Sequence, residues 1–392
     1  MSGTGTLQPA LPKSHYVDEG SWKLERERVL LNEWTCAGRL DALGLAEPGT
    51  NNLIANRVVT VDLLGESVLV TVDAERQLHA HYNFCRHRGT QLIPAPEESN
   101  ADGSDGAGSN GSSGVGTPCD LKVIRCPYHS WSYHLDGRLR SAPLAGDIDP
   151  DRFSLHPVGA DQWGGFLFLH ATPSEARSLR ESLGAAPERT TRYPLADLAV
   201  GYRAVYEVAA NWKVIAENYN ECYHCGPVHP ELSALVPAFA SGGADLDWEA
   251  GIAHREGAWT FTTTGTSTRS PFPDLDEDER VRHKGELIYP NLLLSLSAEH
   301  VAAFTLQPLG VASTRIVCEL LFARDEVAHA DFDPSDAADL WEITNRQDWT
   351  VCELVQQGMS SRAYVQGWYA PMEDESMAIT RWLLPRLGQE AE

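Results

Sequence analysis

The chain has no run of about 18 or more apolar residues, the length a membrane-spanning helix needs, so no transmembrane helix is expected. Basic residues are scarce: 31 Lys+Arg stand against 55 Asp+Glu, a formal net charge of -24. Nucleic acid demands a basic surface, and so does an anionic membrane, so neither is an expected partner. Cysteine is sparse too. Eight cysteines in 392 residues make no disulfide scaffold, and the expected compartment is a reducing cytoplasm. The first twenty residues, MSGTGTLQPALPKSHYVDEG, lack a basic region followed by an apolar core, so no signal peptide is expected. No internal repeat is present.

The length predicts two domains, and a 42% hydrophobic fraction is ordinary for buried cores. Residues 21–34, SWKLERERVLLNEW, have helical apolar spacing. From 57 to 84 the pattern is β-branched and period-two, and GGFLFLHA at 164–171 closes that strand-rich region. Residues 95–118 are rich in Gly, Ser, Asn and Asp and poor in apolar groups, which predicts a flexible insert. A polar connector with helical character covers 173–200. Strands are expected at 201–210, in GAWTFTTTG, ELIYPNLLLSLS, HVAAFTLQPL and TRIVCELLFA, with a helix from about 211 to 224 and a long helix over about 335–360. Strands followed by a long helix predict an α+β domain, an antiparallel sheet packed on that helix. The expected division is an N-terminal helical segment, 1–40, packing on the C-terminal domain; a β-rich domain, 41–172; and a catalytic domain, 173–392.

Two short pairs flank the insert: Cys85-Arg86-His87 and Cys126-Pro127-Tyr128-His129. Each supplies one thiolate and one imidazole. Two cysteines on one iron and two histidines on the other make the ligand set of a Rieske [2Fe-2S] centre. The alternative is a structural Cys2His2 zinc site, although zinc fingers usually run Cys-x2-4-Cys before His-x3-5-His.

A second cluster lies further on. Trp212, Ile215, Tyr219 and Cys222 share an apolar face, and Gly226-Pro227 should stop the helix just past His224. His229 can then fold back toward His224. On the long helix the stripe Trp341, Thr344, Asp348, Val351/Cys352, Val355 and Met359 puts Asp348 on the apolar side. A carboxylate there must be paired, hydrogen-bonded or on a metal. Two histidines and a carboxylate form the facial triad of non-haem Fe(II) oxygenases. Glu342 and Glu353 are the reserve carboxylates.

At these residues the chain resembles the catalytic α subunit of Rieske non-haem iron oxygenases, over about residues 25 to 385. The resemblance rests on Cys85-x-His87-Arg88-Gly89, Cys126-Pro127-Tyr128-His129-Ser130-Trp131, Glu217-Asn218-Tyr219-x-Glu221-x-Tyr223-His224-x4-His229 and Asn345-Arg346-Gln347-Asp348-Trp349. It implies an N-terminal Rieske domain and a C-terminal helix-grip (START/Bet v 1-like) domain. It also implies a homotrimer with electron transfer between subunits, a flavin-containing reductase that passes on NAD(P)H electrons, and mononuclear Fe(II) at His224, His229 and Asp348. Glu221 would link the two metal centres. The long insert departs from the family's shorter link. Glu221 stands where most aromatic-ring members carry aspartate, and its Asn-Glu-Cys-Tyr-His-Cys setting resembles the branch that oxidises choline, carnitine, glycine betaine and stachydrine.

The expected activity is therefore hydroxylation or oxidative N-demethylation of a small quaternary ammonium compound, with an aromatic-ring hydroxylase or aromatic demethylase as the alternative. Two other classes remain: a pure electron-transfer protein, and a zinc hydrolase using His224, His229 and Asp348. Trp259, Phe261, Tyr289 and Phe304 are candidate pocket aromatics.

Overall fold

The β-branched run at 57–84 folds as three antiparallel strands, Arg57–Leu63, Glu66–Val72 and Leu78–Tyr82. Alternation divides their side chains between two cores. Val59, Val61, Val68 and Val70 pack with Leu167 and Leu169, whereas Val58 and Leu69 pack with Cys85, Cys126, Trp131 and Tyr133. Each such burial is worth roughly 1.5–3 kcal/mol per Val or Leu. The sheet thus carries the cysteine-bearing loops on one face.

The computed structural model describes residues 6–94, 115–243 and 246–389, so positions 95–114 of the expected insert lie outside the described residues. Contacts divide the chain into two units, one of Leu30–Ser182 with Leu195–Ala199, the other of Met1–Val29, Leu183–Pro194 and Val200–Glu392. In the first, the sheet has seven strands, in the order Thr35–Arg39, Phe166–His170, Pro157–Trp163, Leu78–Tyr82, Glu66–Val72, Arg57–Leu63 and Cys119–Asp120. A three-stranded sheet of Ile124–Arg125, Ser132–Tyr133 and Leu139–Ser141 lies beside it, and a turn over 135–138 joins its last two strands. Arg39 is fully buried yet satisfied. It donates to the carbonyls of Gly164 (2.8 Å), Leu195 (2.8 Å) and Leu198 (2.6 Å) and pairs with Asp41. Gly165, at φ +82, leaves room for that guanidinium, since a Cβ there would lie 2.3 Å from it.

In the second unit the sheet is antiparallel, ordered Leu198–Val208, Ser313–Ala323, His300–Gly310, Leu292–Leu296, Arg282–Ile288 and Ile252–Ala253. The long helix runs Ser335–Ser360 and lies on this sheet. Trp341 meets Phe304 edge-on at 5.6 Å and donates to His300 Nε2 at 3.0 Å. The helix Trp212–Tyr219 packs between the long helix and a C-terminal helix, Asp374–Arg386. This is the α+β helix-grip arrangement.

Several local expectations change. The helix expected at 21–34 runs Glu19–Arg28, and its buried residue is Glu25, while Leu24 is exposed. Glu25 turns inward because Lys213 Nζ lies 2.8 Å away and Trp212 also donates to it. GAWTFTTTG forms turns, not a strand: Thr262 and Thr264 hydroxyls take up the Thr266 carbonyl at 2.7 and 3.1 Å. The 211–224 helix ends at Tyr219, where Asn220 forms the C-cap. On the long helix Val355 is exposed and Gln356 is buried, its side chain accepting from the Asn211 N–H at 2.9 Å. The helix at 374–386 was not expected.

Candidate metal centres and their cavity

The two cysteine loops follow the same chain path. Cys85 N–H donates to Thr90 O (2.8 Å) and Gly89 N–H to Cys85 O (2.9 Å). Likewise Cys126 N–H donates to Trp131 O (2.7 Å) and Ser130 N–H to Cys126 O (3.2 Å). Gly89 and Ser130 both take positive φ, at 76° and 59°, to close these turns. Cys85 and Cys126 are buried and adjacent, while His87 is exposed and His129 half-buried. The two imidazoles meet edge-on at 4.7 Å, and Trp131 stacks on His87 at 5.0 Å. Tyr133 Oη lies 3.3 Å from Cys85 Sγ. Burial pushes the Cys85 thiol up. Burial also raises Cys126, but the N–H groups of Tyr128 and His129 more than offset it and favour the thiolate. All four sequence-chosen residues thus come together, with sulfur donors inside and nitrogen donors at the rim. The donor set fits a [2Fe-2S] cluster, and by geometry alone it fits tetrahedral zinc as well.

The second cluster is assembled from a loop and the long helix. Past Tyr219 the chain turns sharply, and Glu221 accepts from the backbone N–H groups of Tyr223 and His224. His224 Nε2 and His229 Nε2 converge on Asp348 Oδ1 at 3.2 and 2.9 Å. One ligand atom from each residue lies within 4.8 Å of the others. The far nitrogens are held from behind: His224 Nδ1 donates to Glu221, and His229 Nδ1 donates to Gln347 Oε1 at 2.7 Å. That hydrogen bonding directs both Nε2 atoms to the common point. Burial lowers the His224 pKa, but Asp348 and Glu221 more than offset it and push it up to about 10. Burial raises the Asp348 carboxyl, and the two histidines reverse that and hold it low. Two imidazole nitrogens and one carboxylate oxygen beside an open cavity fit a non-haem Fe(II) site with free positions. Glu342 and Glu353 are engaged elsewhere, with Tyr206 and Arg346, and with the Ala209 N–H.

A cavity of about 330 Å³ adjoins the triad. Of the four candidate aromatics, Phe261, Tyr289 and Phe304 line it and Trp259 does not. Trp248 and Trp341 extend this aromatic wall, and Arg189, Glu249, Glu286 and Glu375 add charge. Arg189 Nε donates to Glu286 Oε2 at 2.8 Å. Sequence reasoning missed Gln347, Arg189 and Glu286. Gln347 had a signal, as the neighbour of Asp348 in the Asn-Arg-Gln-Asp-Trp run; the other two come from distant segments. It also missed the disulfide between Cys222 and Cys225.

Residues 48–150 match the Rieske [2Fe-2S] domain family, and residues 195–389 match the ring hydroxylating alpha subunit (catalytic domain) family. The chain belongs to the Rieske non-haem iron oxygenases. A Rieske oxygenase carries a [2Fe-2S] cluster and a mononuclear iron, which decides against zinc at the first centre and against a pure electron carrier. The glycine betaine monooxygenase oxygenase subunit of Pseudomonas aeruginosa is 26% identical over 394 residues, covering 92% of this chain and 85% of its own. The carnitine monooxygenase oxygenase subunit of Escherichia coli K12 is 27% identical over 363 residues, covering 90% and 85%. Among solved structures, a quaternary ammonium Rieske monooxygenase described for carnitine oxidation and inter-subunit electron transfer superposes with a TM-score of 0.70 at 23% identity, covering 98% of this chain and 96% of that one. No helix among the described residues is long and apolar enough to cross a membrane.

Proposed function

We propose that this Rieske oxygenase hydroxylates or oxidatively N-demethylates a small quaternary ammonium compound, as the terminal component of a cytoplasmic, reductase-fed homotrimer. Cys85, His87, Cys126 and His129 hold the cluster in this reading, and His224, His229 and Asp348 hold the iron. When bound, the iron supplies the point at which dioxygen is activated by electrons arriving from NAD(P)H. The protein's own groups do the rest. Glu221 fixes the His224 ring and, in this reading, links it to a cluster histidine of a neighbouring subunit. Gln347 fixes His229. The aromatic wall holds the substrate and keeps water from the reacting carbon.

The observation that carries the substrate class is the cavity's combination of aromatic faces and carboxylates. A quaternary cation offers no N–H to donate, so it is held by π-faces, at roughly 0.5–2 kcal/mol each, and by nearby negative charge. Trp248, Phe261, Tyr289, Phe304 and Trp341 supply the faces, and Glu249, Glu286 and Glu375 outnumber the one guanidinium of Arg189. A neutral aromatic substrate has no use for that charge. The named activities of the two bacterial relatives support the same class. Hydroxylation of an N-methyl group gives a carbinol that releases formaldehyde and the demethylated amine.

The test is a substrate panel with a surrogate reductase, comparing glycine betaine, choline, carnitine and stachydrine with benzoate- and phenol-type aromatics. Accelerated NADH consumption with an ammonium compound, and matching product or formaldehyde, is expected. Coupled turnover on an aromatic alone overturns the substrate class and leaves the oxygenase intact.

A further inference from the structure

Cys222 and Cys225 bracket His224 and are joined by a disulfide, with Cα atoms 4.9 Å apart. Both are buried from the outer surface, and both line the cavity that the triad faces. The other six cysteines take no part in a disulfide. The bridge is not what makes the turn. The Cys225 N–H donates to the Cys222 carbonyl at 3.2 Å, the Ser233 hydroxyl donates to the Cys225 carbonyl at 3.1 Å, and Glu221 holds the two amides between. With the sulfurs reduced, those bonds keep the turn folded but looser. With them joined, the ring that contains His224 loses conformational freedom.

We propose that Cys222 and Cys225 form a redox-modification site, a dithiol–disulfide couple oxidised by peroxide within the cavity, which clamps the turn carrying His224. Its effect on iron rests on His224 being a ligand; its sulfur chemistry does not. The oxidant is a product of the enzyme's own side reaction. Dioxygen that takes two electrons and two protons without attacking substrate leaves as hydrogen peroxide, beside the pair. One thiolate then attacks a peroxide oxygen, the O–O bond breaks, and a sulfenic acid and one water form. The second sulfur attacks the first, the S–S bond forms, and the second oxygen leaves as water. Two thiols lose two electrons and two protons, and one peroxide becomes two waters. A phosphine and water reverse the change, giving two thiols and a phosphine oxide. The physical consequence is pre-organisation: the clamped turn presents His224 to the iron at a smaller entropy cost, so the disulfide form retains its iron longer.

The experiment uses the full-length holoenzyme, poised with a water-soluble phosphine or with one equivalent of hydrogen peroxide. Alkylation followed by peptide mass spectrometry counts free thiols at 222 and 225. A ferrous chelator in excess then reads the rate of mononuclear iron release, with the cluster followed separately by its visible absorbance. We expect two free thiols after phosphine and none after peroxide, and iron release several-fold faster from the dithiol form. The C222S/C225S double variant should release iron at one rate whatever the poise. Thiols that stay free under peroxide overturn the proposal, and so do equal release rates in the two wild-type forms or a poise-dependent rate in the double variant. A couple that opens and closes in a protein that binds no mononuclear iron overturns the clamp and the iron assignment, while the redox site itself stands.

Discussion

Gln347 Oε1 takes the Nδ1 proton of His229 at 2.7 Å, and the Gln347 amide nitrogen donates in turn to Glu231 Oε2 at 3.1 Å. The imidazole is therefore fixed in tautomer and rotation by the residue next to Asp348 in sequence. Gln347→Leu should weaken mononuclear iron binding by about 10–100-fold and leave the cluster spectrum unchanged. Gln347→Glu, which keeps the acceptor for His229 but loses the donation to Glu231, should recover only part of the loss. Anaerobic Fe(II) titration of each apoprotein measures both, and an unaltered affinity in the leucine variant would remove Gln347 from the site.

Glu221 accepts from His224 Nδ1 in the same way, and the proposed function gives it a link to a second centre. Glu221→Gln should retain both metals, because an amide still accepts one hydrogen bond. Turnover should fall sharply, and after the cluster is reduced the iron should be reduced slowly. Single-turnover kinetics at wild-type speed would exclude the linking role.

Iron uptake should be coupled to proton release. In the metal-free protein Asp348 and Glu221 outweigh burial and hold the His224 pKa up to about 10, so the ring is protonated at neutral pH. Iron requires the neutral ring, so affinity should rise with pH below that value, approaching about tenfold per unit if one proton leaves. Calorimetry in buffers of different ionisation enthalpy counts the proton. An affinity flat between pH 6 and 8 (about two units of a single-proton linkage) contradicts the assignment.

Stability should depend on the buried Lys213–Glu25 pair, at 2.8 Å with neither side chain measurably exposed beyond 1%. Lys213→Ala strands a buried carboxylate and should cost about 3–5 kcal/mol, whereas a Lys213→Met, Glu25→Leu double variant should cost much less. Urea unfolding of the three proteins gives the comparison, and equal losses in the single and double variants would contradict it.

The parts that were legible in the sequence are those where chemistry and short spacing coincide. Cys85 and His87 share one turn, as do Cys126 and His129, so the ligand pairs can be read without knowing the fold. Asp348 was legible because a carboxylate on an apolar helical stripe has few neutral explanations. The long helix of 26 residues was placed at its observed limits because an apolar stripe from Trp341 to Met359 marks most of its length. What failed was what depends on distant partners. Glu25 looks like a surface residue until Lys213 and Trp212 arrive from nearly two hundred positions away. The threonine run at 262–264 has strand propensity, but its hydroxyls satisfy the backbone locally. Arg189 and Glu286 meet across 97 positions, so no local pattern could have assigned them to one wall.

Trp341, Thr344, Asn345, Asp348 and Trp349 lie on one unbroken helix, and all line the same cavity. Trp341 and Asp348 are separated by about 10 Å of rigid rod, at roughly 1.5 Å per residue. The aromatic wall and the carboxylate that meets both imidazoles are thus one mechanical part. Sliding or tilting that rod to admit a bulkier guest would drag the carboxylate away from both imidazoles. Diversification of this scaffold toward new guests therefore has to proceed by trimming or swapping individual side chains on the wall, with the backbone left where it holds Asp348 against both imidazoles.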